Sequence, residues 1–382
     1  LLRRNAVLIY LAGATDVLWE RAIRDGIPPW LDGPGGPIKF AEQLSVREDV
    51  IRPYADIVVD TSGDMPEALA EHILEKIGEE LTVRMNAPNT WGEVVRVTTF
   101  GESHGPAIGC VLDGIRPGTP VSEEDIQREL DRRRPGQSKI VTRRDEADAV
   151  HILSGVYEGK ATGVPIAMVI YNQDQKSKSY ADIEKLFRPG HADFTFYKKY
   201  GLRDHRGGGR SSGRETATRV AAGAVAKGIL AQRGVRIVAH SVEVAGIVAR
   251  TCDYDVIEQN PVRCADPEAA KAMEEAILDA RKDCDSVGGI IQLEVYGLPP
   301  GLGDPVFGKL DARLTAAIMT MGAVKGVEIG GGFQLARLRG SASNDNMAGG
   351  AFLSNNAGGI LGGISNGEPV VIDLTHLASL DL

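Results

Sequence analysis

The chain has 382 residues, 43% of them apolar, and a mean hydropathy of −0.12, enough for two or three domains with proper cores. Its formal charge of −9 and pI near 5.4 argue against general binding to nucleic acid or an anionic membrane, and no apolar run approaches a membrane span. The N-terminus lacks the basic, apolar and small-residue succession of a signal peptide, so a cytoplasmic location is expected. The cysteines Cys110, Cys252, Cys264 and Cys284 form no C-x-x-C pair, which argues against both a zinc site and a disulfide framework and predicts buried thiols.

In chain order, "NAVLIYL" reads as a strand, "TDVLWERAIRDG" as a helix ending at Gly26, and "GIPPWLDGPGGP" as a loop. A helix over "FAEQLSVREDVIRPYA", a β-branched strand "DIVVDT" and a helix over "MPEALAEHILEKIGEEL" complete an α/β segment. "RMNAPNT", residues 84–90, is the expected linker, because glycine becomes dense beyond it. The first segment resembles the C-terminal half of shikimate kinase, with a strand, a lid-like loop and the arginine-containing "SVREDVIRPYADIVVDT". No G-x-x-x-x-G-K-[ST] phosphate loop occurs in the chain, so kinase activity is not expected. The start at Leu1 rather than methionine suggests a missing upstream piece.

Beyond the linker the strand-like "VVRVTTF" runs into "GESHG", which holds Ser103 and His104. The densest basic cluster, "DRRRPGQSKIVTRR", puts Arg132, Arg133, Arg134, Lys139, Arg143 and Arg144 within fourteen positions, and on an acidic protein this suggests a pocket for a small polyanion. "RPGHADFTFYKKYG" sets His191 between an arginine–proline turn and an aromatic run. In "RGGGRSSGRET" three glycines free the backbone, arginines flank them, and Ser212 with Glu215 forms an S-x-x-E capping box. Amides at a helix start, the positive end of its dipole and serine hydroxyls make a phosphate cradle. "NNAGGILGGISNG" is a glycine-rich turn that admits a flat ligand close to the backbone, and no G-x-G-x-x-G fingerprint is present.

From about Asn89 to Gly367 the chain resembles the chorismate synthase family, through "TFGESHG", "LDRRRPGQS", "RPGHADFTF", "RGGGRSSGRET", "AVKGVEIGGGF" and "SNNAGGILGGIS" in family order. Met85 stands about where a free-standing member would begin, so the expected organisation is a kinase-like fragment at 1–84 and a chorismate synthase domain at 85–382. The implied fold is a β-α-β sandwich of antiparallel sheets and helices, associating as a homotetramer and preceded by an incomplete P-loop-kinase-like α/β piece. The implied reaction is a 1,4-anti elimination in which 5-enolpyruvylshikimate 3-phosphate loses phosphate and a ring proton to give chorismate, with reduced FMN and no net redox change. By this resemblance His104 protonates or stabilises the reduced flavin with Ser103 as relay, and His191 acts as acid for the departing phosphate. Arg210, Ser211, Ser212, Gly322, Ala323 and Gly362 match flavin-binding positions, while Arg133, Arg134 and Lys139 match positions that hold the substrate's anionic groups or NADP. NADPH or an external reductase supplies the reduced flavin. The family's lysine-proline-threonine-serine loop and arginine-histidine-aspartate-proline motif have no counterpart before Leu382, and neither Asp373 nor Asp381 has matching context. The competing expectation is a non-catalytic fragment that keeps the fold and some FMN or anion affinity.

Overall fold

The structure, a computed structural model, describes residues 8–26, 29–63, 66–83, 89–134, 138–140, 147–172 and 186–376. The chain divides into two compact units, Leu1–Pro88 with Tyr197–Gly201, and Asn89–Phe196 with Leu202–Leu382. Residues 84–88 of the expected linker, and Arg143, Arg144 and Asp381, lie outside the described residues.

In the first unit β1 (Ile9–Ala12) pairs in parallel with β2 (Ile57–Asp60), from Ile9 opposite Ile57 to Ala12 opposite Asp60. Parallel neighbours need a crossover, supplied by α1 (Thr15–Asp25) and α2 (Gly36–Ile51). Gly26 ends α1 at φ 103°, as the glycine predicts, and Pro37 occupies the first turn of α2. Ile57 and Val59 face inward from β2 while Val58 and Asp60 face out, and α3 (Pro66–Val83) follows. The unit is therefore α/β.

The second unit carries two antiparallel five-stranded sheets. The first has the order β3 (Thr90–Trp91), β4 (Arg96–Gly101), β5 (Ala107–Asp113), β9 (Ile166–Tyr171), β6 (Val150–Ile152), with a small hairpin of β7 (Val156–Tyr157) and β8 (Lys160–Ala161) beside it. Strands β5 and β9 read as nearly continuous apolar runs because helices cover them: Ile108, Cys110, Ile166, Met168 and Ile170 pack with Ile126 and Leu130 of α4 (Glu123–Arg133) and with Ala217 and Ala221 of a later helix. Ser122 caps α4 by accepting from Asp125 N–H at 3.1 Å, three acids fill its first turn, and Arg132 and Arg133 complement the carbonyl end. After α5 (Asp193–Tyr200), helix α6 (Thr216–Ala231) lies against the first sheet and also touches β10 (Arg236–Val244) of the second.

The second sheet runs β11 (Ile247–Val248), β10, β12 (Gly289–Tyr296), β18 (Val370–His376), β13 (Val324–Ile329), and between β13 and β18 the chain forms the hairpin of β14 (Met347–Ala348) with β15 (Ala351–Phe352) and that of β16 (Ile360–Leu361) with β17 (Ile364–Ser365). Its two faces differ. Leu293, Val295, Val370, Ile372 and Leu374 pack with Leu310, Leu314 and Ile318 of α8 (Leu310–Met319), whereas register aligns His240, Gln292, Asp373 and Glu328 in one polar row on the other face. Helix α7 (Pro267–Lys282) covers β11. Among the described residues no helix is long and apolar enough to cross a membrane.

The cysteines correct one expectation. Cys110 and Cys264 are buried, and burial pushes the Cys110 thiol up to about 12. Cys252 and Cys284 are exposed, because one lies in the loop after β11 and the other just beyond the end of α7, where side chains meet water.

Candidate functional site

The site begins at the turn between β4 and β5, where Gly105 N–H donates to Glu102 O at 3.0 Å. Ser103 and His104 on this turn are 1% and 5% exposed, and Ser103 Oγ lies 2.9 Å from His104 Nδ1. The loop Arg206–Gly209 covers them. A Cβ on Gly207, at φ 64°, would stand 2.3 Å from His104 Cε1 and 2.5 Å from Nδ1, so only glycine lets the backbone come this close. Ser103 Oγ also lies 3.4 Å from the Arg206 and Gly207 carbonyls, which bind the pair to the loop that caps it.

A buried polar chain fixes the turn to the start of α6. Asn172 Nδ2 donates to the carbonyls of Glu102 at 3.0 Å and Gly105 at 2.8 Å, and its Oδ1 accepts from Arg214 Nε at 3.1 Å. Arg214 in turn pairs with Asp148, whose other oxygen accepts from Arg133 Nη1 at 2.8 Å. Arg133 also donates to Gly213 O at 3.0 Å and Thr216 Oγ1 at 3.3 Å. The Asp148 side chain is fully enclosed and Arg214 nearly so, so the charges satisfy one another in a low-dielectric interior. The expected anion holder Arg133 thus braces the first turn of α6. Arg134 and Lys139 are exposed, the Lys139 carbonyl accepting from Arg281.

The surrounding charge is dense. Asp204 holds the Arg206 guanidinium in two bonds of 2.9 Å. Burial works against ionisation of Asp204, but hydrogen bonds from Arg206 and Glu102 outweigh it and hold that carboxyl below its ordinary value. Glu102 moves the other way, raised first by burial, then by its hydrogen bond to Asp204 and the repulsion that accompanies it. Arg210 reaches back to β4, donating to Thr99 Oγ1 at 2.6 Å, Gly101 O at 3.3 Å and Asn89 Oδ1 at 3.1 Å. Arg188 Nη2 stands 3.1 Å from where a Cβ on Gly208 would be, which brings the 188–193 turn alongside the glycines. In that turn Asp193 locks Arg188 Nε at 2.9 Å, and half-buried His191 directs Nδ1 to Pro189 O at 2.9 Å.

The capping box forms only in part. Ser212 Oγ accepts from Arg214 N–H at 3.3 Å and opens a short 3-10 turn, Gly213–Glu215, while the Glu215 carboxylate pairs with Arg219 at 2.9 Å instead of reaching back. A charged partner one helical turn on outcompetes a neutral amide. Ser211 Oγ donates to Gly208 O at 2.7 Å.

The other expected cofactor positions sit on the second sheet. Gly322 and Ala323, the latter at φ 67°, follow α8, and Arg219 Nη1 donates to Thr320 Oγ1 at 2.6 Å to tie that end to α6. Gly362, at φ 60°, is in the hairpin of β16 (Ile360–Leu361) and β17 (Ile364–Ser365), whose Gly363 O accepts from Leu310 N–H at 2.8 Å at the start of α8. Gly322 and Gly362 thus stand at opposite ends of a ten-residue helix, about 15 Å of rise apart. Asp345 anchors the loop before the hairpin, accepting from Asn356 N–H at 2.7 Å, Ala357 N–H at 2.8 Å and Ser354 Oγ at 2.7 Å.

Asn172, Asp148 and Asp345 escape sequence reasoning, since each is a lone polar residue in an unmarked stretch. Only an unusual backbone marks one of them, Asp148 at φ 46°.

Residues 95–378 match the family model described as chorismate synthase. The chain is 56% identical over 293 residues to the chorismate synthase of Methanosarcina mazei, covering 75% of this chain and 80% of that protein. It is 56% identical over 283 residues to that of Nitratiruptor sp., covering 74% and 79%. A solved structure described as the crystal structure of chorismate synthase superposes with a TM-score of 0.64 at 33% identity, covering 75% of this chain and 85% of that one. With a family match across most of its length and relatives above 50% identity, the chain belongs to the chorismate synthase family of lyases.

Proposed function

We propose that the chain carries out the 1,4-anti elimination of phosphate from 5-enolpyruvylshikimate 3-phosphate to chorismate with reduced FMN bound. The observation that carries this reading is the buried Ser103–His104 pair capped by Gly207, with Arg188 beside the neighbouring Gly208 and Arg210 bound to Gly101 at the start of the same turn. Ser103 Oγ fixes the ring through Nδ1, so His104 holds or delivers its proton at a set orientation. His191, its ring oriented by the Nδ1–Pro189 O hydrogen bond, is the proposed acid for the leaving phosphate in its protonated form. The arginines and the amides opening α6 supply charge-assisted hydrogen bonds to a substrate with two carboxylates and a phosphate.

The residues present fit a flavin. Nothing stands within 4 Å of a Cβ placed on Gly322 or Gly362, so a flat ring can approach the main chain there. Asn366 Nδ2, beside the hairpin, is buried with no hydrogen-bond partner among the described residues, an unfilled donor of the kind a flavin oxygen satisfies. Arg210, Ser211, Ser212, Gly322, Ala323 and Gly362 are the proposed holders. When bound, reduced FMN would lend electron density to the substrate and return to its starting state each turnover, NADPH or an external reductase having supplied it in the reduced form. Exposed Phe307, Phe333 and Leu353 offer apolar surface for the proposed homotetramer in the cytoplasm. The parallel β1–β2 pair with its helical crossover supports reading the first unit as shikimate-kinase-like.

The test is anaerobic mixing of the chain with reduced FMN and enolpyruvylshikimate phosphate, following flavin absorbance and phosphate release. Chorismate and phosphate appear with the parent and vanish with His104→Ala. Flavin binding without phosphate release would overturn the proposal in favour of a non-catalytic fragment.

A further inference from the structure

Three separate segments bring metal-ligating side chains together on the polar face of the second sheet. His240 on β10 sits opposite Gln292 on β12, and Glu294 follows two residues on along the same face. The loop after β11 adds Cys252, so that one ligand atom from each of His240, Cys252 and Glu294 lies within 4.8 Å of the others. His240 and Glu294 are 4% and 8% exposed, while Cys252 faces solvent and keeps an entry path.

The geometry suits a small tetrahedral ion. His240 Nε2 and Glu294 Oε1 are 3.3 Å apart. Metal–nitrogen and metal–oxygen bonds of about 2.0–2.1 Å give a tetrahedral donor–donor edge of about 3.3–3.4 Å, so these two ligands need no rearrangement and a thiolate on a surface loop closes the third corner. Glu294 is already oriented: Tyr254 Oη donates to its Oε1 at 2.7 Å and Tyr296 Oη to its Oε2.

The charge balance points the same way. Among the described residues the ion pair of this buried carboxylate is with His240 alone, because the nearby Arg236 guanidinium stacks over Tyr296 at 4.4 Å and Tyr254 at 5.5 Å. A buried carboxylate is costly without a full cationic partner, and a divalent ion provides one. His240 Nδ1 is buried with no hydrogen-bond partner among the described residues. A ligating histidine normally has an acceptor there, and its lack weakens binding by about 10–100-fold relative to a site that has one.

We propose that His240, Cys252 and Glu294 bind one divalent ion of the zinc class, fastening the Cys252 loop to the second sheet. Sequence spacing argues against such a site because it detects only local ligand pairs, whereas these three are brought together by strand register.

The test uses the full chain, reduced and stripped with chelator, in a Cys284→Ser background that removes the other exposed thiol. Titration with Co2+ alone should saturate at one equivalent with a near-ultraviolet thiolate-to-metal charge-transfer band, Zn2+ should displace it, and Zn2+ should raise the unfolding temperature. Cys252→Ser should lose the band and bind at least about tenfold more weakly, while melting like its parent without metal. His240→Gln should lose affinity and keep the thiol reactive. Absence of saturable Co2+ binding, or an unchanged band in Cys252→Ser, would overturn the proposal.

Discussion

Gly207→Ala is the sharpest perturbation of the site, because a single methyl group meets both members of the Ser103–His104 pair. The added Cβ would stand 2.3 Å from His104 Cε1 and 2.9 Å from Ser103 Oγ, and both residues are too buried to retreat. An alanine held at φ 64° costs about 1 kcal/mol in backbone strain. Relieving the overlap costs about 1–3 kcal/mol more, as for other overpacked interiors. The sum, about 2–4 kcal/mol, corresponds to a melting temperature lower by about 4–8 °C at about 2 °C per kcal/mol for a unit of this size. Moving the imidazole by an ångström should also lower kcat/KM by about 100-fold. The assay pairs thermal unfolding with anaerobic turnover. As a control, Gly223→Ala in α6 has no atom within 4 Å of its Cβ and should raise stability by about 0.5–1 kcal/mol. A Gly207→Ala protein that melts and turns over like the parent would refute the close approach of this loop to His104.

Two further perturbations probe the surrounding network. Asp148→Asn keeps a residue that tolerates φ 46° but removes the shared counter-charge of Arg133 and Arg214, so denaturant unfolding should show a loss of about 3–5 kcal/mol; a loss below about 1 kcal/mol would mean the three groups do not act together. The raised Glu102 carboxyl favours its neutral form in the fold, so its contribution is complete below 4.5 and is lost as pH rises through the folded value. Glu102→Gln should therefore flatten the decline in melting temperature above pH 4.5 and be at least as stable as the parent at neutral pH, and an unchanged slope would contradict the assignment.

Much of the site is legible in the sequence because its chemistry is contiguous. Ser103 and His104 are neighbours, the three glycines are consecutive, and Gly26, Ser122 and the charges at the ends of α4 mark helix limits through local rules. What escapes is non-local. The contact of Gly207 with His104 joins segments about a hundred positions apart, and Asn172 acquires its role only when β9 delivers it to the turn after β4. Local rules also fail where a tertiary or charged competitor wins: Arg219 draws Glu215 out of the capping box, and loop position exposes Cys252 despite the preference of cysteine for interiors. The Gly322 and Gly362 turns stand forty positions apart in the chain, and only the packing of α8 shows that they flank its two ends.

The sharing of Asp148 by two arginines has a consequence for how the family can change. Replacing the aspartate first strands the buried Arg214 and the partly exposed Arg133 at once, whereas replacing either arginine first leaves the aspartate with one partner. Replacing the second arginine as well would leave a fully enclosed carboxylate with neither, so every single-step path away from the triad passes through a charge without its partner. Such a triad resists piecemeal change, and relatives of this chain are expected to have all three members or none.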